Sequence, residues 1–462
     1  MKQLLFTITT VLTVYFFNSC EPLAPVDEAY VLEFSTDTLR FDTVFTSAGS
    51  VTQTLKLFNR SPRTVRLTSI ALGGGATSSF RLNTNGTPGS STGPIDIPGK
   101  DSIYLFVSVN INPTSSASPF LIADSIRVQH GQITRYAQLR AYGQNAVYLR
   151  GQRIRTNTTW TSALPYVIEN GLLVEENATL TLQPGTRVYV NAASPLFIDG
   201  TLIAEGTKTD SITFQGDRLD KDYRALPGSW PGIYFRNASS NNRLRFVYLR
   251  HAYQGIVAGK NSGNAPKLTI DQCVIDNCFE TGIAATGSSI RMNNTLVSNC
   301  GINILFTAGG QYELNHCTIA SFSSLYLPHK KPVLYLANWD STTQLNSYPL
   351  QALIRNTICW GDEGAVDDEI VLSRRGSASW STAITHSLYR AKNTLTNATL
   401  TLNLLNQPPL FDSIDTRIPI YDFRITKGRS PAINKGTPSG LTLDLDNRPR
   451  DGQPDIGCFE KQ

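Results

Sequence analysis

From Leu268 to Phe322, polar and apolar positions follow one repeating frame. Three lines align when written under one another: Leu268 to Cys278, Ile290 to Cys300, and Tyr312 to Phe322. Cys273, Thr295 and Cys317 hold the same rank at one constant step (295 − 273 = 317 − 295). In each line, apolar or small residues fall at i, i+2, i+5, i+7 and i+10. Alternation by two marks a strand, and the +3 break marks a bend after which the strand resumes. A single such unit cannot bury its inward side chains, but a stack can. The frame therefore predicts a parallel β-helix with like residues lying over like.

The register extends in both directions. Leu244, Val247, Leu249 and Ala252 precede Ile270, Cys273, Ile275 and Cys278 by a slightly longer step (270 − 244 = 278 − 252). Ile354, Thr357 and Cys359 follow Leu314, Cys317 and Ile319 by a much longer one (354 − 314 = 359 − 319). That longest step predicts an insertion over 325–348, rich in aromatics and proline, and Ile384 to Tyr389 reads as a last coil. Outward positions place Arg245 beside Asp271 and Arg250 beside Asp276, which predicts charge pairing between coils at roughly 0.2–1 kcal/mol each. Asn293 over Asn315 reads as an amide ladder. His316, preceding an inward cysteine, is expected to face solvent.

Upstream, about seven short alternating segments lie between Tyr30 and Asn145, among them Thr52 to Phe58, Ser102 to Val109 and Tyr136 to Tyr142. Turn clusters such as Gly73–Gly75 separate them, a pattern that predicts a β-sandwich. At the start, Lys2, an apolar run from Leu4 to Phe17 and then Cys20 read as an export signal too short to span a bilayer. The expected organisation is all-β: signal peptide 1–20, tether 21–29, N-terminal β-sandwich 30–146, parallel β-helix (solenoid) 147–425 and C-terminal cap 426–462.

Four stretches resemble known families. Asn18-Ser19-Cys20 after the apolar run resembles the bacterial lipoprotein lipobox, which implies acylation of Cys20, anchoring in a membrane and an outer-membrane address. The order of strands and turns over 30–146 resembles immunoglobulin-like domains of the Hydin type, usually spacers or interaction modules. Ala178–Thr186, Gly200–Thr207 and Trp230–Ile233 resemble the opening coils of bacterial right-handed β-helix proteins, which implies a right-handed winding. Asp422–Ile425, Ser430–Gly436, Asp444–Asp446, Arg448–Arg450 and Pro454–Glu460 resemble the C-terminal motif of bacterial choice-of-anchor β-helix proteins. Cys458 and Phe459 stand here where that motif commonly has Ala and Tyr. The motif reads as an end cap, with Ile456 and Phe459 packing on the last coil and Arg448 and Arg450 pairing with nearby acids.

The net charge of +5, on scattered bases, gives no nucleic-acid stripe. Beyond Cys20, the six cysteines form no CxxC or Cys/His metal spacing. Most fall on inward ranks, where Cys acts as a small hydrophobe, so free stacked thiols are expected; only Cys278 and Cys300 are near enough to bridge. Asp444, Asp446, Asp451 and Asp455 offer oxygens suited to Ca²⁺ but lack calcium-loop spacing. No other cofactor is implied. Trp339, Trp360, Asp362 and Glu363 are the candidate ligand-binding residues: rings for stacking on a sugar, acids for its hydroxyls. The outward columns stack no acids, so the expected role is a non-catalytic envelope lipoprotein presenting a surface to a polysaccharide or an envelope protein. The alternative is a polysaccharide lyase or glycoside hydrolase, a reading that rests on fold analogy.

Overall fold

A computed structural model describes residues 31–261, 263, 265–340, 346–362, 366–417 and 420–461. The signal segment, the tether, Cys20 and Glu363 lie outside the described residues. The chain divides into two compact units at Gln144/Asn145.

The first unit holds two five-stranded sheets. In one, Gln53–Asn59 runs antiparallel to Ser102–Val109, which pairs with Phe80–Thr84. In the other, Phe120–His130 and Ile133–Gln144 form a long antiparallel pair, and Thr38–Phe45 joins it in parallel. Strict alternation, as in Ser-Ile-Tyr-Leu-Phe-Val-Ser-Val, sends every second side chain inward. Leu55, Leu57, Leu105 and Val107 from one sheet meet Ile126, Val128 and Leu139 from the other in one apolar core.

The second unit holds a 26-stranded sheet wound into coils of three parallel strands, and a separate antiparallel pair, Ser413–Asp415 with Ile420–Asp422. Leu244, Ile270, Met292, Leu314, Ile354 and Ile384 lie over one another in register. A second column stacks Leu249, Ile275, Val297, Ile319, Cys359 and Tyr389. A third stacks Ile256, Ile283, Ile304, Leu334 and Ile370, each almost wholly buried. Each buried aliphatic side chain contributes about 1.5–3 kcal/mol, an amount that one coil alone could not collect.

The +3 break has a specific cause. Phe246, Gln272, Asn294, His316, Asn356 and His386 all adopt left-handed backbone, with φ between 43° and 51°. One such residue turns the strand through a corner, and Asn suits the position because its short polar side chain tolerates that conformation. The next residue points inward: Cys273, Thr295, Cys317, Thr357, Ser387. These side chains do more than fill space. Thr295 Oγ1 donates to the Asn293 carbonyl at 2.8 Å and accepts the Cys273 N–H at 3.5 Å. Thr357 repeats this with the Arg355 carbonyl and the Cys317 N–H, and Ser387 with the Thr385 carbonyl and the Thr357 N–H. The corner column is thus a ladder that satisfies backbone groups the bend would leave unpaired. All six described cysteines are free and buried, Cys278 and Cys300 included.

Several expectations are corrected. The segment 325–348 is not all insertion, because Leu334–Ala337 is a strand of the stack, paired with Ile304–Phe306 and with Ile370–Ser373. Only the stretches on either side of it are added loops. The stack continues past Tyr389 through Thr399–Thr401 and Leu404–Leu405. Arg245 and Arg250 do lie beside Asp271 and Asp276, but the carboxylates take hydrogen bonds from Asn293 and Ser298 instead.

The C-terminal residues do not sit over the end of the stack. They run along one wall as a strap. Phe423, Leu445, Cys458 and Phe459 pack on Val274, Leu296 and Ala320. Ile425, Ala432 and Ile456 pack on Ile358, Trp360 and Leu388. The corner residues form the rail that receives it. Gln272 Nε2 donates to the Asp444 carbonyl at 2.7 Å, and Asn294 Nδ2 to the Leu443 carbonyl at 2.8 Å. Asn356 exchanges two bonds with Thr437. His316 therefore does not face solvent: it is fully buried, with Nδ1 3.1 Å from the Asp455 carbonyl and Nε2 2.9 Å from Asn356 Nδ2. Arg450 pairs with Glu460 at 2.7 Å, both buried, and also donates to Asn294 Oδ1.

Candidate functional site

The residues singled out in the sequence fall in different surroundings. Trp360 is 6% exposed, and its ring lies under Ile425 and Ile456 of the strap, leaving no free face for a sugar. Asp362 accepts the Ser323 N–H at 2.6 Å, and its carbonyl accepts from Arg390. Trp339 stands after the strand Leu334–Ala337, on another wall, and donates through Nε1 to Ser373 Oγ at 2.9 Å. The Arg375 guanidinium covers its ring at 3.6 Å. These three do not converge on one open surface.

The acidic stretch supplies a buried clamp instead. Glu369 is completely buried, 3.0 Å from His329 Nε2 and 2.8 Å from Arg390 Nη2, and it accepts the Val333 N–H at 3.3 Å. Gly361 is required beside it, because a Cβ there would collide with His329 Nε2 and Glu369 Oε1. The clamp ties the loop before Leu334–Ala337 to the turn before Ile370–Ser373. The carboxylates considered for Ca²⁺ are also engaged. Asp444 accepts the Arg448 and Glu460 N–H groups, and Asp446 pairs with Lys208 and Arg424. Asp455 accepts the Asn434 and Lys461 N–H groups, and Asp451 accepts the Gln453 N–H. Among the described residues, no three metal-ligating side chains cluster.

An open concavity lies on the wall that carries Leu268–Asp271, Leu350–Arg355 and Trp380–Thr385. A groove of about 910 Å³ adjoins one of about 290 Å³, and Ser289, Gln311 and Gln351 line both. The corner that borders it is built from Gly287, Ala308, Gly309 and Gly310, all with positive φ. A Cβ on Gly309 would clash with the Pro349 carbonyl, and one on Gly310 with the Ser288 carbonyl. Both glycines therefore let the neighbouring backbone approach closely at this corner.

One outward ladder runs Ser289, Gln311, Gln351, Ser381, in direct register. The ladder beside it runs Thr269, Arg291, Glu313, Leu353. Tyr348 adds a ring, Trp380 lines one end while packing against the solenoid core, and Lys260 and Asn261 form the opposite rim. Trp380 is half-buried and fixed by a 2.6 Å bond from Nε1 to the Asn397 carbonyl. Glu313 is held from both sides, by Arg291 Nε at 3.1 Å and Arg355 Nη2 at 3.4 Å. The groove thus offers amides, hydroxyls and rings at a regular strand spacing of ~4.8 Å. This set can hydrogen-bond a chain of hydroxyl-bearing rings. Sequence reasoning did not reach these residues. Their signal was the common rank of Ser289 and Gln311, one repeat apart, beside the glycines at 287, 309 and 310.

No family model and no curated protein matches the chain. Among solved structures, a family 123 glycoside hydrolase from Clostridium perfringens matches at 10% identity over 26% of this chain and 26% of its own, with a TM-score of 0.20. The catalytic unit of a thermostable GH87 alpha-1,3-glucanase from Streptomyces thermodiastaticus strain HF3-3 matches at 10% identity over 76% of this chain and 85% of its own, with a TM-score of 0.23. At those scores neither likeness bears on fold or chemistry.

Proposed function

We propose that this chain is an exported envelope protein whose β-helix binds a polysaccharide in the groove without cleaving it. One observation carries the reading: a register of Ser289, Gln311, Gln351 and Ser381 along an open groove that Tyr348 borders. Inverting hydrolysis needs two carboxyl groups roughly 6.5–9.5 Å apart. Among the described lining residues the groove has one, Glu313, and two guanidinium groups hold it. That supports binding over hydrolysis.

The full chain in affinity electrophoresis against a panel of soluble polysaccharides tests this. Retardation by at least one glycan is expected, weakened about tenfold by Gln311→Ala or Gln351→Ala, the loss of roughly one hydrogen bond to a ligand. New reducing ends or unsaturated products would remove the non-catalytic part of the reading. Absence of retardation across the panel would remove the binding part.

The remaining assignments rest on sequence. We read the first unit as an immunoglobulin-like sandwich serving as a spacer, the helix as right-handed, and Cys20 as the lipid-bearing residue that fixes the protein to the outer membrane. Metabolic labelling with palmitate tests the anchor: the label is expected on the native chain and absent from Cys20→Ala.

A further inference from the structure

We propose that the groove selects acidic polysaccharides, with Lys260 and Arg291 receiving the carboxylates of uronate-type rings; this deepens, and rests on, the glycan-binding reading. The argument is charge balance on one wall. Lys260 and Arg291 line the groove and Glu313 is its single lining carboxylate among the described residues. Glu313 is neutralised twice, by Arg291 on one oxygen and Arg355 on the other. Further along the same face, Arg243 pairs with Glu205 at 3.1 Å, and Arg245 lies in register with Asp271. Glu205 is paired and Asp271 lies beside a base, so that Lys260 and one of the two guanidinium groups on Glu313 remain in excess.

The free donors point to the same ligand. Arg291 binds Glu313 through Nε alone. Among the described residues its Nη groups make no hydrogen bond, and the Lys260 ammonium makes neither hydrogen bond nor ion pair. The Arg291 side chain is 51% exposed, so its terminal edge reaches the groove. A guanidinium edge matches a carboxylate in two parallel hydrogen bonds, and an ammonium on a flexible stem adjusts to the next one. Gln311 and Gln351, on the two coils that follow Arg291, would take ring hydroxyls. A neutral glycan would leave both cations unused, whereas an acidic one brings a counter-charge at each.

The test uses the full chain with polygalacturonate and with carboxyl-reduced polygalacturonate, which keeps the backbone and removes the charge. Binding is measured by calorimetry at low salt and at about 0.5 M NaCl, where screening shortens the reach of charge to a few ångström. Polygalacturonate is expected to bind at least tenfold tighter than its reduced form, with the difference shrinking in high salt. Arg291→Gln and Lys260→Gln should each weaken it about fivefold, and weaken the reduced polymer much less. Lys260 has no side-chain partner among the described residues, so its variant reports on binding even if Arg291→Gln perturbs the wall. Equal or better binding of the reduced polymer overturns the acidic preference and leaves the glycan reading standing. Binding of polyphosphate as tight as that of polygalacturonate overturns it too, by marking an unselective basic patch. Failure of both polymers, and of every glycan in the panel, overturns both readings.

Discussion

Acidification should loosen the strap through His316. Burial pushes its imidazole down from 6.5 to about 2, with the Arg450 charge adding to the effect. The buried ring is therefore neutral, whereas a ring released to water takes up a proton below about pH 6.5. The released state binds more protons throughout the window from 6.5 down to 2. The contribution is accordingly complete above pH 6.5 and is lost as pH falls. At pH 5 the released ring lies about 1.5 units below its own pKa, which corresponds to about 2 kcal/mol at roughly 1.36 kcal/mol per unit. Asp444, Asp455 and Glu460 oppose this trend. Burial raises each of them, so protonation favours the closed state as pH falls. The clean observable is thus the difference from His316→Asn. Asn294 occupies the same corner one coil earlier, at φ 43°, and donates to the strap in the same manner, so Asn fits the site without a titrating ring. The assay is hydrogen exchange at the Cys458 and Glu460 amides, corrected for intrinsic rates. Between pH 7.5 and 5 the native chain should lose about 2 kcal/mol more protection than the variant. Parallel pH profiles for the two proteins would refute the reasoning.

Three further outcomes follow from the packing. Glu369→Ala strands Arg390 and His329 in the interior and should cost about 3–5 kcal/mol in urea unfolding, whereas a loss under about 1 kcal/mol would mean that the clamp is not structural. Thr295→Val keeps the volume but breaks the corner ladder, and should cost about 1–3 kcal/mol, with Thr295→Ser much milder; equal melting temperatures for the two variants would show that the hydroxyl is idle. Gly310→Ala forces a Cβ against the Ser288 carbonyl at φ 120° and should destabilise the wall that carries Gln311, read as a lower melting temperature together with weaker glycan retardation.

The winding was legible because its signal is repeated. Cys273, Thr295 and Cys317 recur at one step, and each copy reinforces the register of the next. What the alternation could not reveal was the strap. Val274-Ile275, Leu296-Val297 and Ile358-Cys359-Trp360 are unbroken apolar runs, the mark of a strand covered on both faces. Reading them as half-exposed sent His316 to solvent and left Trp360 available to a sugar. The partner that covers them lies far downstream, between Phe423 and Phe459, and local periodicity carries no information at that range. The groove was missed for a different reason. Its residues are ordinary Ser and Gln, and what brings them together is a shared outward rank on successive coils, which alternation alone does not set apart from any other outward column.

The strap also sets an order of events during biogenesis. Its residues leave the ribosome after the coils they cover. Until they arrive, Val274, Leu296, Ile358 and Trp360 form an unclad greasy stripe along a nearly complete solenoid. Such a surface invites association with other chains. A nonsense mutation just before Phe423 should therefore yield a protein that winds, yet precipitates or is degraded, so that the strap acts as a checkpoint on folding.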